Sequence, residues 1–342
     1  MKKLLTFVSA ITAGAIGTAA AEVSVSGSGT FYYSSASGDK AVTANEDTMS
    51  VVGGSVNFAM STETTNGVTV TGSASLTQDT DDIILTDTDA AGAVGGMTQL
   101  VFGMDGMTIT LGDIDNAGSG TGEGGDVATF ASTHASVHAA GTSTAAASDS
   151  AMDAIADGTG INVSTSMGDA AIDLTFVSKV GSGSNSHSTN ATTTDYSSGY
   201  AINVGFDLAG ASVNVAAGGS QAKATASKNN TGMAIEASYP VSDALTVTLG
   251  GSNGTIAGAD EDNLFITAAY TMDADTTLSI GLAEGDSTLA GSLDKATSTT
   301  INLSRSLGGG VSVFAEYADI NQNDAGVDSS ASAVSVGTSV TF

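Results

Sequence analysis

The chain has no cysteine and no tryptophan, a single proline, and only eight lysines and arginines in 342 residues. Without cysteine there is neither a disulfide framework nor a thiolate metal site. Eight cations cannot build the basic face that neutralises nucleic-acid phosphates, so nucleic acid is not a partner. Charged residues make up 13% of the chain, about half the roughly 25% of an ordinary soluble domain. Most of them are acidic, 36 in number, and the formal charge is −28. A hydrophobic share of 41% is too high for disorder. What is abundant is glycine, at 44 residues, with serine, threonine, alanine and valine. That composition reads as β. No nucleophile–base pair or catalytic dyad is legible, and an enzyme is not expected.

The first residues read as an export signal. Lys2 and Lys3 precede an apolar stretch, Leu4 to Thr18, too short and too rich in glycine and alanine for a membrane helix. Ala19, Ala20 and Ala21 offer small residues for cleavage before Glu22. Residues 1–21 carry two lysines and no acid, so their removal leaves −30 on 22–342. No run of 18 apolar residues follows, so no spanning helix is expected.

From Glu22 onward the pattern has period two. Val23, Val25, Gly27, Gly29, Phe31 and Tyr33 alternate with Ser24, Ser26, Ser28, Thr30 and Tyr32. The same one-sided alternation returns in Ile202, Val204, Phe206 and Leu208, and in Leu278, Ile280 and Leu282. Alternation of this kind puts one set on each face of a sheet. Sixteen such segments can be counted, the first at 22–34 and the last at 331–342. Their links run long, short, long, short. The long ones are 35–48, 78–96, 114–159, 180–197, 220–230, 253–262, 285–297 and 321–330. The short ones include Asp105-Gly106, a two-residue hairpin turn.

An even strand number with links sorted by parity is the wiring of an up-and-down barrel whose two ends face different compartments. Sixteen strands enclose a lumen too wide for side chains to fill. The Ser/Thr/Asn face therefore turns inward and the Val/Ile/Leu/Phe face meets lipid. Aromatic residues fall at two depths: Phe58, Phe102, Phe206, Tyr239, Tyr270 and Phe342 near the short links, and Phe31, Tyr33, Phe176, Tyr200 and Tyr317 near the long ones. Two girdles are what two membrane interfaces require. Alternation assigns Arg305 to the lipid-facing set, three residues from a turn where it can reach the interface; a local bulge turning it inward is the alternative.

The chain resembles the Gram-negative general porins, most closely the alphaproteobacterial (Rhodobacter-type) branch. The resemblance rests on Val23-Ser24-Val25-Ser26-Gly27, on Met107 to Asp113 leading into the longest link, and on the closing Val336-Gly337-Thr338-Ser339-Val340-Thr341-Phe342. It implies a homotrimer of 16-stranded antiparallel transmembrane barrels in the outer membrane, passive diffusion of small hydrophilic solutes, and a third long loop folded into the lumen. It also implies that Phe342 is part of the signal read by the outer-membrane assembly machinery.

Within that frame, link 114–159 is the functional candidate, at 46 residues more than twice any other. Asp113 stands at the strand end just before it, its first part carries Asp115, Glu123 and Asp126, and it holds no lysine or arginine. Carboxylates in a narrow lumen concentrate cations, which makes these the candidate pore constriction. Asp173, Asp207, Glu236 and Glu316 fall on the inward phase and would line the lumen wall. No lysine or arginine occurs between 49 and 167, unlike the basic wall that faces the loop in general porins. No cofactor is required, although Asp79, Asp81, Asp82, Asp87 and Asp89 crowd one link and could hold Ca²⁺; Asp260, Glu261 and Asp262 form a second acidic group. Gly120, Gly122 and Gly125 match a dinucleotide fingerprint only weakly among so many carboxylates, and His134 with His138 lacks a clear third ligand. The alternative reading is a secreted or surface Ca²⁺-binding adhesin or S-layer-like protein. A solenoid of that kind would show a fixed repeat, and none is found.

Overall fold

The computed structural model describes residues 22–38, 48–77, 99–114, 117–118, 121–122, 151–152, 155, 158–180, 196–222, 229–256, 258–288, 295–324 and 327–342. In chain order the strands are β1 (Glu22–Gly38), β2 (Thr48–Glu63), β3 (Thr69–Thr77), β4 (Gln99–Met104), β5 (Met107–Ile114), β6 (Gly158–Met167), β7 (Ala170–Val180) and β8 (Tyr196–Leu208). They continue as β9 (Ala211–Ala222), β10 (Asn230–Ser242), β11 (Leu245–Ile256), β12 (Ala259–Asp273), β13 (Thr276–Ser287), β14 (Lys295–Gly308), β15 (Val311–Asp324) and β16 (Val327–Thr341). Each strand pairs antiparallel with its chain neighbours, and β1 pairs with β16, so the sixteen strands form one closed barrel. Closure removes the unpaired edges that an open sheet presents.

The two faces of the wall follow from the period-two pattern. Along β12, Leu264 is 67% exposed and its neighbour Asn263 only 6%. Along β10, Met233 is 62% exposed and Ala234 5%. Side chains splay apart on a convex surface and converge on a concave one, so the apolar set is the outer face. This inverts the arrangement of a water-soluble domain: large apolar residues point out, while Thr175, Ser252, Asn263, Thr300, Asn302, Glu316 and Ser335 are buried on the inner side. An outer band of this kind is stable only against hydrocarbon. All eleven aromatic residues placed in the two girdles belong to the outer set by register. Tyr32, Phe265 and Phe314 belong to the inner set.

At one end, two-residue links join β4 to β5, β6 to β7, β8 to β9, β10 to β11, β12 to β13 and β14 to β15. Ala209 and Gly210 both have positive φ, 53° and 87°, the primed turn whose twist matches the flanking strands. Pro240 sits beside a register shift between Pro240 and Ser242, where a residue without an N–H is tolerated. The other end differs from the expectation in two places. Links 253–262 and 321–330 were expected to be long, but β11 and β12 are separated only by 257–258, and β15 and β16 only by 325–326. Near this rim both faces are polar: Asn253 and Asp262 pair on one side, Gly254 and Glu261 on the other. A strand without an apolar face leaves no alternation to read.

That extension also separates the second acidic group. Asp260 and Asp262 lie on the outer face of β12 and Glu261, 6% exposed, on the inner face. Three carboxylates alternating across a sheet cannot converge on one ion.

Candidate functional site

On the inner face, β9, β10 and β11 align their smallest residues. Gly232 pairs with Gly218 on one side and Gly254 on the other. One inward step along, Ala234 pairs with Ala216 and Ser252 in the same way. The result is a trough about 10 Å wide, two strand spacings, with almost no side-chain atoms of its own.

The described residues of the link between β5 and β6 lie in this trough. Met152 and Ile155 are fully buried, and both belong to an apolar cluster with Ile114, Val177, Ala201, Ala216, Ala234 and Ile256. A Cβ placed on Gly232 would stand 2.8 Å from Ile155 Cδ1 and 3.1 Å from the Ala151 carbonyl oxygen. One placed on Gly254 would stand 2.7 Å from Ala151 Cβ, and one on Gly122 2.8 Å from Ala234 Cβ. A polar pin accompanies the apolar seat. The Ala151 N–H donates to Ser252 Oγ at 2.9 Å, and Ser252 donates from both its hydroxyl (3.1 Å) and its N–H (2.6 Å) to Asn263 Oδ1. By accepting the hydrogen bond of the hydroxyl, Asn263 leaves a lone pair of Ser252 turned to Ala151.

The remaining inner wall is a lattice of short polar side chains. Asn162 donates to Thr175 at 3.0 Å and accepts from Ser164 at 3.1 Å; Thr248 donates to Ser238 at 3.0 Å. Acids are set into this lattice. Asp173 stands between Ser164 and Asn203, Asp207 beside Ser212 near the tight-turn end, and Glu236 between Asn214 and Gly250. Glu316 is 5% exposed, between Asn302 and Ser335, and accepts from Asn302 Nδ2 at 3.2 Å. Glu261, next to Gly254, is a further inner acid that the alternation argument assigned to a link.

Basic residues are arranged differently. Lys295 belongs to the outer set, where it pairs with Glu284. Arg305 also takes the outer register, opposite Val313 and clear of the shift at Ser306 and Gly308, so the bulge alternative does not hold. Lys179 pairs with Thr159 near the end of β7.

Of the proposed constriction residues, Asp113 is the penultimate residue of β5, opposite Thr159 and in the outer register with Ile109 and Leu111, while Asp115, Glu123 and Asp126 lie outside the described residues. Gly122, next in the chain to Glu123, is described and buried. Asp79, Asp81, Asp82, Asp87 and Asp89, and both histidines of the His134 pair, also lie outside. Among the described residues no group of three or more acids and histidines could hold a metal. Phe342 exchanges two backbone hydrogen bonds with Gly27, both 3.0 Å, and its ring covers that glycine so closely that a Cβ there would be 2.4 Å from Cζ. Sequence reasoning missed the Met152–Ile155 anchor, although these are the only large apolar residues between 139 and 160.

A family model described as Gram-negative porin matches residues 6–325. Among solved structures, the Salmonella typhi OmpF complex with daunomycin aligns over 94% of this chain and 98% of its own, with a TM-score of 0.65 and 13% identity. A mutant of the Rh. blastica porin aligns over 94% and 100%, with a TM-score of 0.60 and 20% identity. A loop-deletion mutant of OmpT from Vibrio cholerae aligns over 94% and 99%, at 0.62 and 13%. At these identities the likeness is one of fold. No curated protein matches significantly. The family match spans most of the barrel, and with the closed sheet and apolar outer belt it makes this chain a member of the Gram-negative porin family, non-enzymatic outer-membrane channels for passive diffusion.

Proposed function

We propose that the barrel is a water-filled pore that passes small hydrophilic solutes and prefers cations to anions. The observation that carries this reading is the sign of the inner wall. Asp173, Asp207, Glu236, Glu261 and Glu316 occupy inner positions, whereas Lys295 and Arg305 are both on the outer face. The link 115–157 adds six acids, Asp115, Glu123 and Asp126 among them, and no lysine or arginine. Its anchoring in the trough supports an inward course for the loop and a constriction formed by those carboxylates. Inside a low-dielectric wall such a field is focused on the aqueous path, and it is screened over about 8 Å at physiological salt.

Reversal potential across a planar bilayer under a salt gradient tests this. The wild type should show the sign of cation selectivity, weakening as ionic strength rises. Replacing Asp115→Asn, Glu123→Gln and Asp126→Asn together should lower the preference with the barrel intact. A potential of anion-selective sign ends the electrostatic reading.

The same reading includes cleavage after Ala21 during export, a homotrimer embedded in lipid or lipopolysaccharide, and recognition of Phe342 by the assembly machinery. Resemblance to general porins supports each of these. Ca²⁺ at Asp79, Asp81, Asp82, Asp87 and Asp89 belongs to it as well. Ca²⁺ held there would stabilise by mass action, so chelation should lower the unfolding temperature; a temperature indifferent to chelator removes the ion.

A further inference from the structure

The three aligned glycines of the trough are not there for backbone reasons. None of Gly218, Gly232 and Gly254 has a positive φ, so any residue could adopt their conformation. Glycine inside a strand costs roughly 0.5–1 kcal/mol relative to alanine. What each gains is space, and the source of the occupying atoms differs. Gly218 and Gly254 face backbone carbonyls of adjoining strands, Tyr200 at 2.6 Å and Thr231 at 2.6 Å, as well as the loop. At Gly232 the three nearest atoms all belong to the loop: Ile155 Cδ1, the Ala151 carbonyl oxygen and the Ala151 carbonyl carbon. Gly232 is the one member of the row whose missing side chain serves the loop alone.

We propose that Gly232 is a positioning residue that sets how deeply the loop between β5 and β6 is seated, and through it the free width of the pore. The proposal rests on the reading of that loop as the constriction. Carbon atoms pack best at about 3.5–4.0 Å. A methyl at position 232 therefore drives Ile155 and Ala151 off the wall by roughly an ångström, and the only open direction is the pore axis. Ser252 and Asn263 hold the lateral position through the Ala151 N–H, so the displacement is inward rather than along the wall.

The test is single-channel conductance of Gly232→Ala, with Ile155→Val in the same background as its rescue, since valine lacks the Cδ1 atom that meets the new methyl. Gly232→Ala should reduce conductance beyond the spread of wild-type channels, and exclude the largest permeating solutes more than small ions. The double variant should recover. An unchanged Gly232→Ala channel overturns the proposal, and so does an equal loss in the double variant, which would place the defect in the sheet. Ser252→Ala removes the pin without touching the glycines and should increase open-channel current noise and protease cleavage within 123–150 of the intact barrel. If Gly232→Ala does not assemble, a quiet, protease-resistant Ser252→Ala channel overturns the proposal by itself. Wild-type protein that forms no channels would instead sink the diffusion-pore reading, a distinguishable result.

Discussion

Two stretches of the inner wall treat empty space in opposite ways. Under the loop, β9 to β11 are stripped to glycine, alanine and serine, and the covering atoms arrive from Ala151 and Ile155. Across β14, β15, β16 and β1 the wall fills itself. Phe314 lies over Gly337 so closely that a Cβ there would be 2.3 Å from Cζ, with the Phe31 carbonyl oxygen at 2.5 Å and Tyr32 Cβ at 2.7 Å. Phe342 covers Gly27 in the same manner on the outer face. A glycine filled by a neighbouring strand belongs to the barrel's stability. A glycine filled by a loop belongs to the pore's dimensions. The type of residue is the same, and only the provenance of the atoms above it distinguishes the roles.

The comparison can be broken most sharply at Gly337. Gly337→Ala collides with backbone as well as with Phe314, and overpacking of this kind typically costs about 1–3 kcal/mol. Its unfolding temperature should fall clearly below that of Gly232→Ala; equal losses would erase the distinction. Deleting Phe342 should lower the yield of assembled barrel more than deleting a residue of 325–326, because it removes two seam hydrogen bonds and uncovers Gly27; equal insertion would argue against a special role for the terminal residue. Asn263→Ala should act on both sides of the divide. It leaves the buried Ser252 N–H without its acceptor, a penalty of about 1–3 kcal/mol, and it frees the hydroxyl that orients Ala151. Lower stability together with noisier channels is the expected pair, and a change in only one would separate wall from loop. The smallest effect belongs to Ala209, held at φ 53°. Ala209→Gly relieves that strain and should be neutral to stabilising by up to about 1 kcal/mol, without any change in conductance.

Much of this architecture is legible in the chain, for physical reasons that also mark where legibility stops. Alternation specifies sixteen strands and the outer face because burial in lipid demands large apolar residues at every second position. It assigns Asp173, Asp207, Glu236 and Glu316 to the inner set by phase alone. It fails where neither face is apolar, so the upper parts of β12 and β15 read as links and Glu261 is lost among them. The seat is illegible for a different reason. A glycine in a strand carries no sign of which element will cover it, and Gly232 can be told from Gly250 only in three dimensions, where the former meets Ile155 and the latter the ring of Phe265.

The seam has a kinetic consequence. Every pairing in the barrel joins chain neighbours except one: β1 meets β16 across the whole sequence, with Thr30 and Ser339 in contact 309 residues apart. Local hairpins can form one after another as the chain emerges, but the circle cannot close until the final strand has been delivered. Loop-closure entropy for so distant a pair delays that step. Until then the nascent sheet presents two raw edges, each able to capture a strand from another chain. A barrel wired in this way keeps both edges exposed until β16 has met β1, so the two ends of the chain share the task of shielding it.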